Sequence, residues 1–475
     1  MNMIYPEYHT FARRMVMKRN NVDMLSGSVF KGLLSISIPI MIMNVMQTMF
    51  NVIDMSVLGN FVNDTAVGAV GACGTLITLC TSLLIGVSSG ANVVIAKHIG
   101  KGDKKQAEKA VGCAVLFAIV GGLALSVIGI CCAKIFLGWT NCPEKLLEQA
   151  TIYFRIYFSG VPVIMFYNFC AAILRSIGDT RRPMLFLILG GIIKIILNFF
   201  FVTVFNMTVE GVAIATIISN AIAGGLCFTV MLRSNDMIHF NYKTMKFYSS
   251  EIKQMLFVGI PTGLQSSLYS LANTVIVTAV NGFGADATTG LSIANQFDGI
   301  LYQIAHAPSL AIIPYVAQNI GAKNIKRVKE AVAKSVIITI AFGASLGALS
   351  AIFSVQLSSL MSSTPAVIMY SQQKMIIVSS TYFICGINEV LSGALRGMGK
   401  PMIPTVSTFI FMCALRIFWV QFVFPLCPTL TFLYLVWPIG WILCIIVALC
   451  VFFPTLSKLQ KINQSKTENK CPNAI

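Results

Sequence analysis

Residues 33–59 of this chain read LLSISIPIMIMNVMQTMFNVIDMSVLG, an apolar run with a single formal charge, Asp54. About 20 apolar residues are enough for a helix to cross a bilayer. Eleven more apolar stretches follow, near 65–95, 110–137, 150–176, 183–205, 209–232, 254–281, 287–316, 331–357, 370–395, 402–425 and 429–454. Spans nearly fill the chain and leave no room for a large soluble domain. Charged residues make up 11% of it, against about 25% in an average soluble chain. The expected fold is therefore an all-α integral membrane protein of twelve helices.

The net charge is +17. In a soluble protein such an excess would suggest nucleic acid, but no basic, aromatic-bearing soluble module exists here to carry that function. The basic residues follow the span boundaries instead. The first tail holds Arg13, Arg14, Lys18, Arg19 and Lys31, and the loop after span two holds Lys97, Lys101, Lys104, Lys105 and Lys109. Taking every second loop in this way collects 28 of the 34 Lys and Arg on one side, the last tail with Lys458, Lys461, Lys466 and Lys470 included. The opposite loops carry Asp64, Glu144, Lys145, Glu148, Glu210 and Asp286, with almost no basic excess. The positive-inside rule then places both termini in the cytoplasm, and an even number of spans agrees. No cleavable signal precedes residue 33, so the first span is expected to be its own targeting signal to the cell membrane. The 14 Cys form no C-x-x-C pair and the four His no H-x-x-x-H. We read neither disulfides nor a metal site from them, no cofactor, and no acid–base cluster that would make an enzyme.

The sequence repeats itself. One constant shift lays Lys31 on Lys253, Pro39 on Pro261, Asn51 on Asn273, Gly68 on Gly290 and Lys194 on Arg416. Shortened by a single position, it matches the loops: Gly100 with Gly321, Leu174 with Leu395, Arg175 with Arg396, Gly178 with Gly399. The organisation expected is a tail (1–32), a six-helix lobe (33–232), a linker (233–253), a second six-helix lobe (254–454) and a tail (455–475). Six is even, so both lobes have the same orientation, related by a two-fold axis along the membrane normal. Two parallel halves around a central cavity are a transporter architecture, with alternating access about a site near the midplane.

Five charges lie well inside spans: Asp54, Lys194, Asp298, Glu389 and Arg416. A mid-span carboxylate costs roughly 2.5–3.5 kcal/mol on insertion scales, so it has a partner and a job. Lys134, Arg155 and Lys374 sit near span ends and are set aside as side chains that snorkel to the interface. The bases Lys194 and Arg416 are repeat-equivalent. The acids are not: Ile276 stands where Asp54 would recur, and Leu76 where Asp298 would. The bases are open to a packing role as well as a mechanistic one, Glu389 to an interfacial pair with a loop Arg or Lys, and His306 to hydrogen-bonded packing. Gln47, Asn51, Asn198, Asn220, Gln265, Asn273, Gln296 and Gln303 are candidates to line the cavity, or to hydrogen-bond between helices.

The loops resemble those of the multidrug and toxic compound extrusion (MATE) family. The paired stretches ILRSIGDTRRPM (173–184) and ALRGMGKPMIP (394–404) carry the likeness, with NVIDMSVLG (51–59), AKHIGKGD (96–103), EGVAIATIIS (210–219) and AQNIGAKNIKRV (317–328). Their order and spacing cover residues 30–455. The resemblance implies two lobes around a V-shaped cavity and efflux of small organic, often cationic, compounds in exchange for Na⁺ or H⁺. It also implies that Asp54 belongs to the cation-coupling site of the first lobe. The chain departs from the family at the fifth helix. Well-studied members have Asn and, four residues on, Asp; this chain has Lys194 and Asn198, in KIILN. A fixed ammonium there repels a cation and favours proton or substrate exchange at an Asp54–Lys194 pair. In the second lobe Asp298 is the stronger candidate and Glu389 lies close to the cytoplasm; Gln265, Asn273 and Arg416 complete that set. The expectation is a multidrug antiporter, monomeric in the bilayer. A flippase for lipid-linked intermediates on the same fold is the alternative that Lys194 and Arg416 keep open, and a non-transporting receptor or scaffold is disfavoured because no extramembrane module of useful size exists.

Overall fold

In hydrocarbon no water satisfies a backbone N–H or C=O, so an apolar run of span length closes its own hydrogen bonds as a helix. The computed structural model describes residues 21–140 and 142–468. Among the described residues there is helix and no strand. The basic residues Arg13, Arg14, Lys18, Arg19 and Lys470 counted above lie outside them.

Twelve helical spans follow the expected order. They are Val29–Phe61, Asp64–Gly100, Lys104–Trp139, the pair Glu144–Ser159 and Val161–Ser176, Arg181–Thr203, Val209–Arg233, Ser249–Asn281, Ala285–Gly321, Ile325–Ile352, Pro365–Gly397, Met402–Leu426 and Leu430–Ile462. Ten of these are long and apolar enough to cross a membrane, and the bent pair makes eleven. The seventh, Ser249–Asn281, has the length: 33 residues, or about 50 Å at 1.5 Å per residue. Its composition is less apolar, because Thr262, Gln265, Ser266, Ser267, Ser270, Asn273 and Thr274 interrupt the run.

Two spans are less regular than the sequence suggests. The fourth, expected as one helix over 150–176, begins at Glu144 and is bent by 45° at Gly160. Pro162 has no N–H for a helical bond and its ring would meet the carbonyl one turn back, which forces the break. The eleventh is irregular along its length, with π-helical segments Phe409–Ala414 and Trp419–Val423 on either side of Leu415–Phe418.

The chain forms two compact units. One comprises Ile42–Gly263 with residues 21–23; the other comprises Met24–Met41 and the chain from Leu264 onward. The first and seventh helices each contribute to both. The first unit's core is built on Phe154, Phe158, Phe169 and Tyr167, the second's on Trp441, Tyr434, Leu433 and Val280. In the first unit the second and seventh helices cross at Gly86-x-x-x-Gly90 and Gly259-x-x-x-Gly263. A Cβ on Gly86 would stand 2.3 Å from the Gly263 nitrogen, and one on Gly259 would stand 2.5 Å from the Val87 Cα. Lipid supplies no hydrophobic drive between helices, so backbone contact of this kind, open to small residues alone, holds them together.

The repeated loop motifs are helix stops. Gly178 and Gly399 have φ +78° and +74°. The following N–H groups, of Asp179 and Lys400, donate to the Leu174 and Leu395 carbonyls at 3.1 and 2.8 Å. This is a Schellman cap, which needs a left-handed residue where Gly alone is unstrained. A second repeated pair, Gly102 and Lys323, makes the same turn, but Lys323 does so with a side chain at φ +61°. Ahead of the first helix, the second unit's Arg327 clamps the chain. Its Nε donates to the Met24 carbonyl at 2.9 Å and Nη1 to that of Gly27 at 3.0 Å, while Nη2 reaches Ser26.

Candidate functional site

In the first unit the first helix brings Asp54 against two residues one turn apart on the fifth. Lys194 Nζ donates to Asp54 Oδ2 at 2.6 Å, and Asn198 Nδ2 to Asp54 Oδ1 at 2.7 Å. The i, i+4 spacing of KIILN puts both donors on one face. All three side chains are buried, Asn198 completely. Asn198 Oδ1 has no hydrogen-bond partner, so the amide is committed to the carboxylate. Gln47 and Asn51 lie seven and three residues before Asp54 on the same helical face and are exposed. Asn220 turns back onto its own helix at the Thr216 carbonyl, 2.8 Å away. The structure also pairs His98 Nε2 with Glu251 Oε2 at 3.2 Å, at the end of the second helix and the start of the seventh. Sequence reasoning did not single out these two, since both lie beside charge-rich loops.

The second unit differs from expectation at Lys374. This side chain does not snorkel: it is 2% exposed. Its Nζ lies 2.7 Å from Asp298 Oδ2 and also reaches Asn295 Oδ1. Ser379 donates to Asp298 Oδ1 at 2.9 Å. Asp298 therefore has an eighth-helix position and a tenth-helix base as partner. Glu389 does pair with a loop-motif base, as expected, and both groups are buried within the protein. Arg396 Nη2 is 3.8 Å and His306 Nε2 3.7 Å from Glu389 Oε2, and Arg396 is 4% exposed. His306 stacks on Tyr302 with centroids 5.4 Å apart.

The polar stripe of the seventh helix explains its composition. Gln265 Oε1 accepts from Arg396 Nη2 and Asn273 Oδ1 from Arg416 Nη1, each at 2.7 Å. Between them Tyr269 accepts from Trp441 Nε1. Arg416 is fully buried. Its guanidinium carbon lies over the rings of Tyr269 and Trp437, 5.7 and 5.0 Å from their centroids. Each such contact is worth about 0.5–2 kcal/mol, whereas taking an ion out of water costs several kcal/mol. The rings alone do not offset the burial.

Electrostatically, the first unit holds a neutral triad that a proton or a ligand could open. Among the described buried residues the second holds the ion pairs Asp298–Lys374 and Glu389–Arg396 and the cation Arg416.

The profile of the MatE family matches this chain twice, over residues 39–200 and 261–420. The two matches begin on Pro39 and Pro261, which the internal repeat lays on each other. A Bacillus subtilis (strain 168) protein called probable multidrug resistance protein YpnP is 27% identical over 83% of this chain and 88% of its own length. The probable multidrug resistance protein NorM of Thermotoga maritima is 26% identical over 82% of this chain and 84% of its own. Among solved structures, a MOP superfamily transporter from Pyrococcus furiosus superposes with a TM-score of 0.86. It is 19% identical and the match covers 93% of this chain and 99% of that one, a likeness of fold.

Proposed function

Because this chain belongs to the MatE family of multidrug efflux transporters, a multi-pass membrane transporter and not an enzyme, we propose that it is a secondary antiporter. It exports small organic compounds, often cationic, in exchange for an inward-moving ion by alternating access. The observation that carries this reading is the buried Asp54–Lys194–Asn198 triad, with its 2.6 Å ion pair. A proton arriving at Asp54 removes the charge that holds Lys194, and a change of partner of this kind couples an ion to a conformational equilibrium. A Na⁺ at the same carboxylate would sit beside the ammonium, and like charges in a low-dielectric site repel strongly. The proton is the proposed coupling ion. The protein works as a monomer with both termini in the cytoplasm, where the basic loops lie.

The test is transport in liposomes holding purified protein, with ethidium as cargo and H⁺ and Na⁺ gradients imposed separately. A pH gradient drives ethidium movement by wild type, and Asp54→Asn loses it. Movement driven by Na⁺ alone overturns the choice of ion; movement driven by neither overturns antiport of this cargo.

A further inference from the structure

The internal repeat carries the first unit's ion pair into the second unit with half of it missing. Lys194 recurs as Arg416 and Asn51 as Asn273, while Asp54 is replaced by Ile276. In the first unit the base meets its carboxylate at 2.6 Å. In the second the guanidinium meets a neutral amide, Asn273 Oδ1, at 2.7 Å. We propose that the second unit contains an anion-binding subsite centred on Arg416, which takes a carboxylate or phosphate group of an organic ligand with an aromatic or apolar body. The proposal refines the cargo of the transporter reading above and is independent of the coupling ion.

Arg416 is 0% exposed and its Nε has no hydrogen-bond partner. Guanidinium does not give up its proton in proteins, so this charge cannot be removed by titration. Among the described residues no carboxylate lies within ion-pair distance of it. The second unit's own buried acids are engaged elsewhere. Asp298 is held by Lys374 and Ser379, and Glu389 lies between Arg396 and His306. One positive charge therefore remains over in a low-dielectric interior, where charges persist by being paired.

Three further features point to a ligand as the counter-ion. Asn273 is exposed, so a single side chain separates the guanidinium from open surface, and its amide oxygen occupies the place an anionic oxygen would take. Tyr269 and Trp437 turn their faces to the guanidinium, so the charge sits in an aromatic surround that suits a ligand with an apolar body. The eleventh helix is π-helical immediately before and after the Leu415–Phe418 turn that presents Arg416. Such bulges are rare and concentrate at functional sites. The planar fork of Arg suits two oxygens of a carboxylate or phosphate.

The experiment uses the full chain purified in detergent, in buffer free of other small organic anions. Binding of 2-naphthoate is read by quenching of tryptophan fluorescence and by thermal shift, with 2-naphthylmethylammonium as the probe of opposite charge. Wild type binds 2-naphthoate. Arg416→Gln weakens that binding at least tenfold while the ammonium probe changes less than twofold. Asn273→Asp, which keeps Arg416 and places a carboxylate within its reach, also weakens 2-naphthoate at least tenfold and raises the melting temperature. This second variant keeps the test decisive if Arg416→Gln fails to fold. Equal 2-naphthoate binding by wild type and Asn273→Asp overturns the proposal. If phosphatidylglycerol in phosphatidylcholine nanodiscs stabilises wild type but not Asn273→Asp, and 2-naphthoate binds neither, the anion is a lipid headgroup and the soluble ligand is overturned. None of these readouts needs a gradient, so failed antiport and failed anion binding are separate results.

Discussion

Removing one partner of the Asp54–Lys194 pair should cost more than removing both. The carboxylate accepts from Nζ at 2.6 Å and from Asn198 at 2.7 Å, and both ionic residues are buried. Asp54→Asn keeps the size of the side chain but leaves a buried ammonium facing an amide. Lys194→Met leaves a buried carboxylate with one neutral donor. Breaking a buried pair from one side costs about 3–5 kcal/mol, because the remaining charge is uncompensated, whereas replacing both charges is often close to neutral. The double variant Asp54→Asn/Lys194→Met should therefore be more stable than the sum of the singles by at least about 2–3 kcal/mol, the top of the usual range for residues in contact. Thermal melting of the purified protein in one detergent provides the ranking: each single variant melts below wild type, and the double melts above at least the worse single. Under the proposed proton antiport, ethidium transport in liposomes should be lost in all three, since none can exchange a proton for the ammonium. If the single variants melt with wild type, or the double loses the full sum, the two groups are not energetically coupled. The argument from their geometry is then wrong.

Three further expectations follow the same physics. Asp298→Asn strands Lys374, which also contacts Asn295 and the Trp437 ring, so it should lower the melting temperature more than Lys374→Met/Asp298→Asn does; equal melting refutes the pairing. Gly259→Leu puts a side chain where even a Cβ would lie 2.5 Å from Val87 Cα; an engineered disulfide pair across the second and seventh helices near that point should lose its cross-linking yield, and an unchanged yield refutes the close crossing. Lys323→Gly removes left-handed strain at φ +61°, a conformation costing about 1–2 kcal/mol for a residue with a Cβ. After the extra backbone entropy of Gly is set against it, stability should rise by up to about 1 kcal/mol, and a fall in melting temperature refutes the strain.

Much of the site was readable because its signals are one-dimensional. Asp54 stands out as a lone acid in an apolar run and Lys194 as a base within another, while Asn198 was joined to them by the resemblance to the family's fifth helix. Lys374 was not readable. It sits near the end of an apolar run, where a long side chain can reach water, and only its neighbours decide that it turns inward to Asp298 and Asn295. Arg396 and Glu389 were placed near a loop by their sequence position, yet the packing of the tenth helix buries both.

By itself, then, the sequence determined the number and order of the helices, the repeat, the equivalence of Lys194 with Arg416 and the absence of a second-lobe counterpart to Asp54. Bilayer thickness and backbone satisfaction make span count a property of composition along the chain. The tertiary structure alone decided the π turns around Arg416, the clamp of Arg327 on residues 24–27 and the choice of Lys374 as the partner of Asp298. Those depend on how each helix is rotated about its axis and how deep it sits, and hydropathy is nearly blind to both.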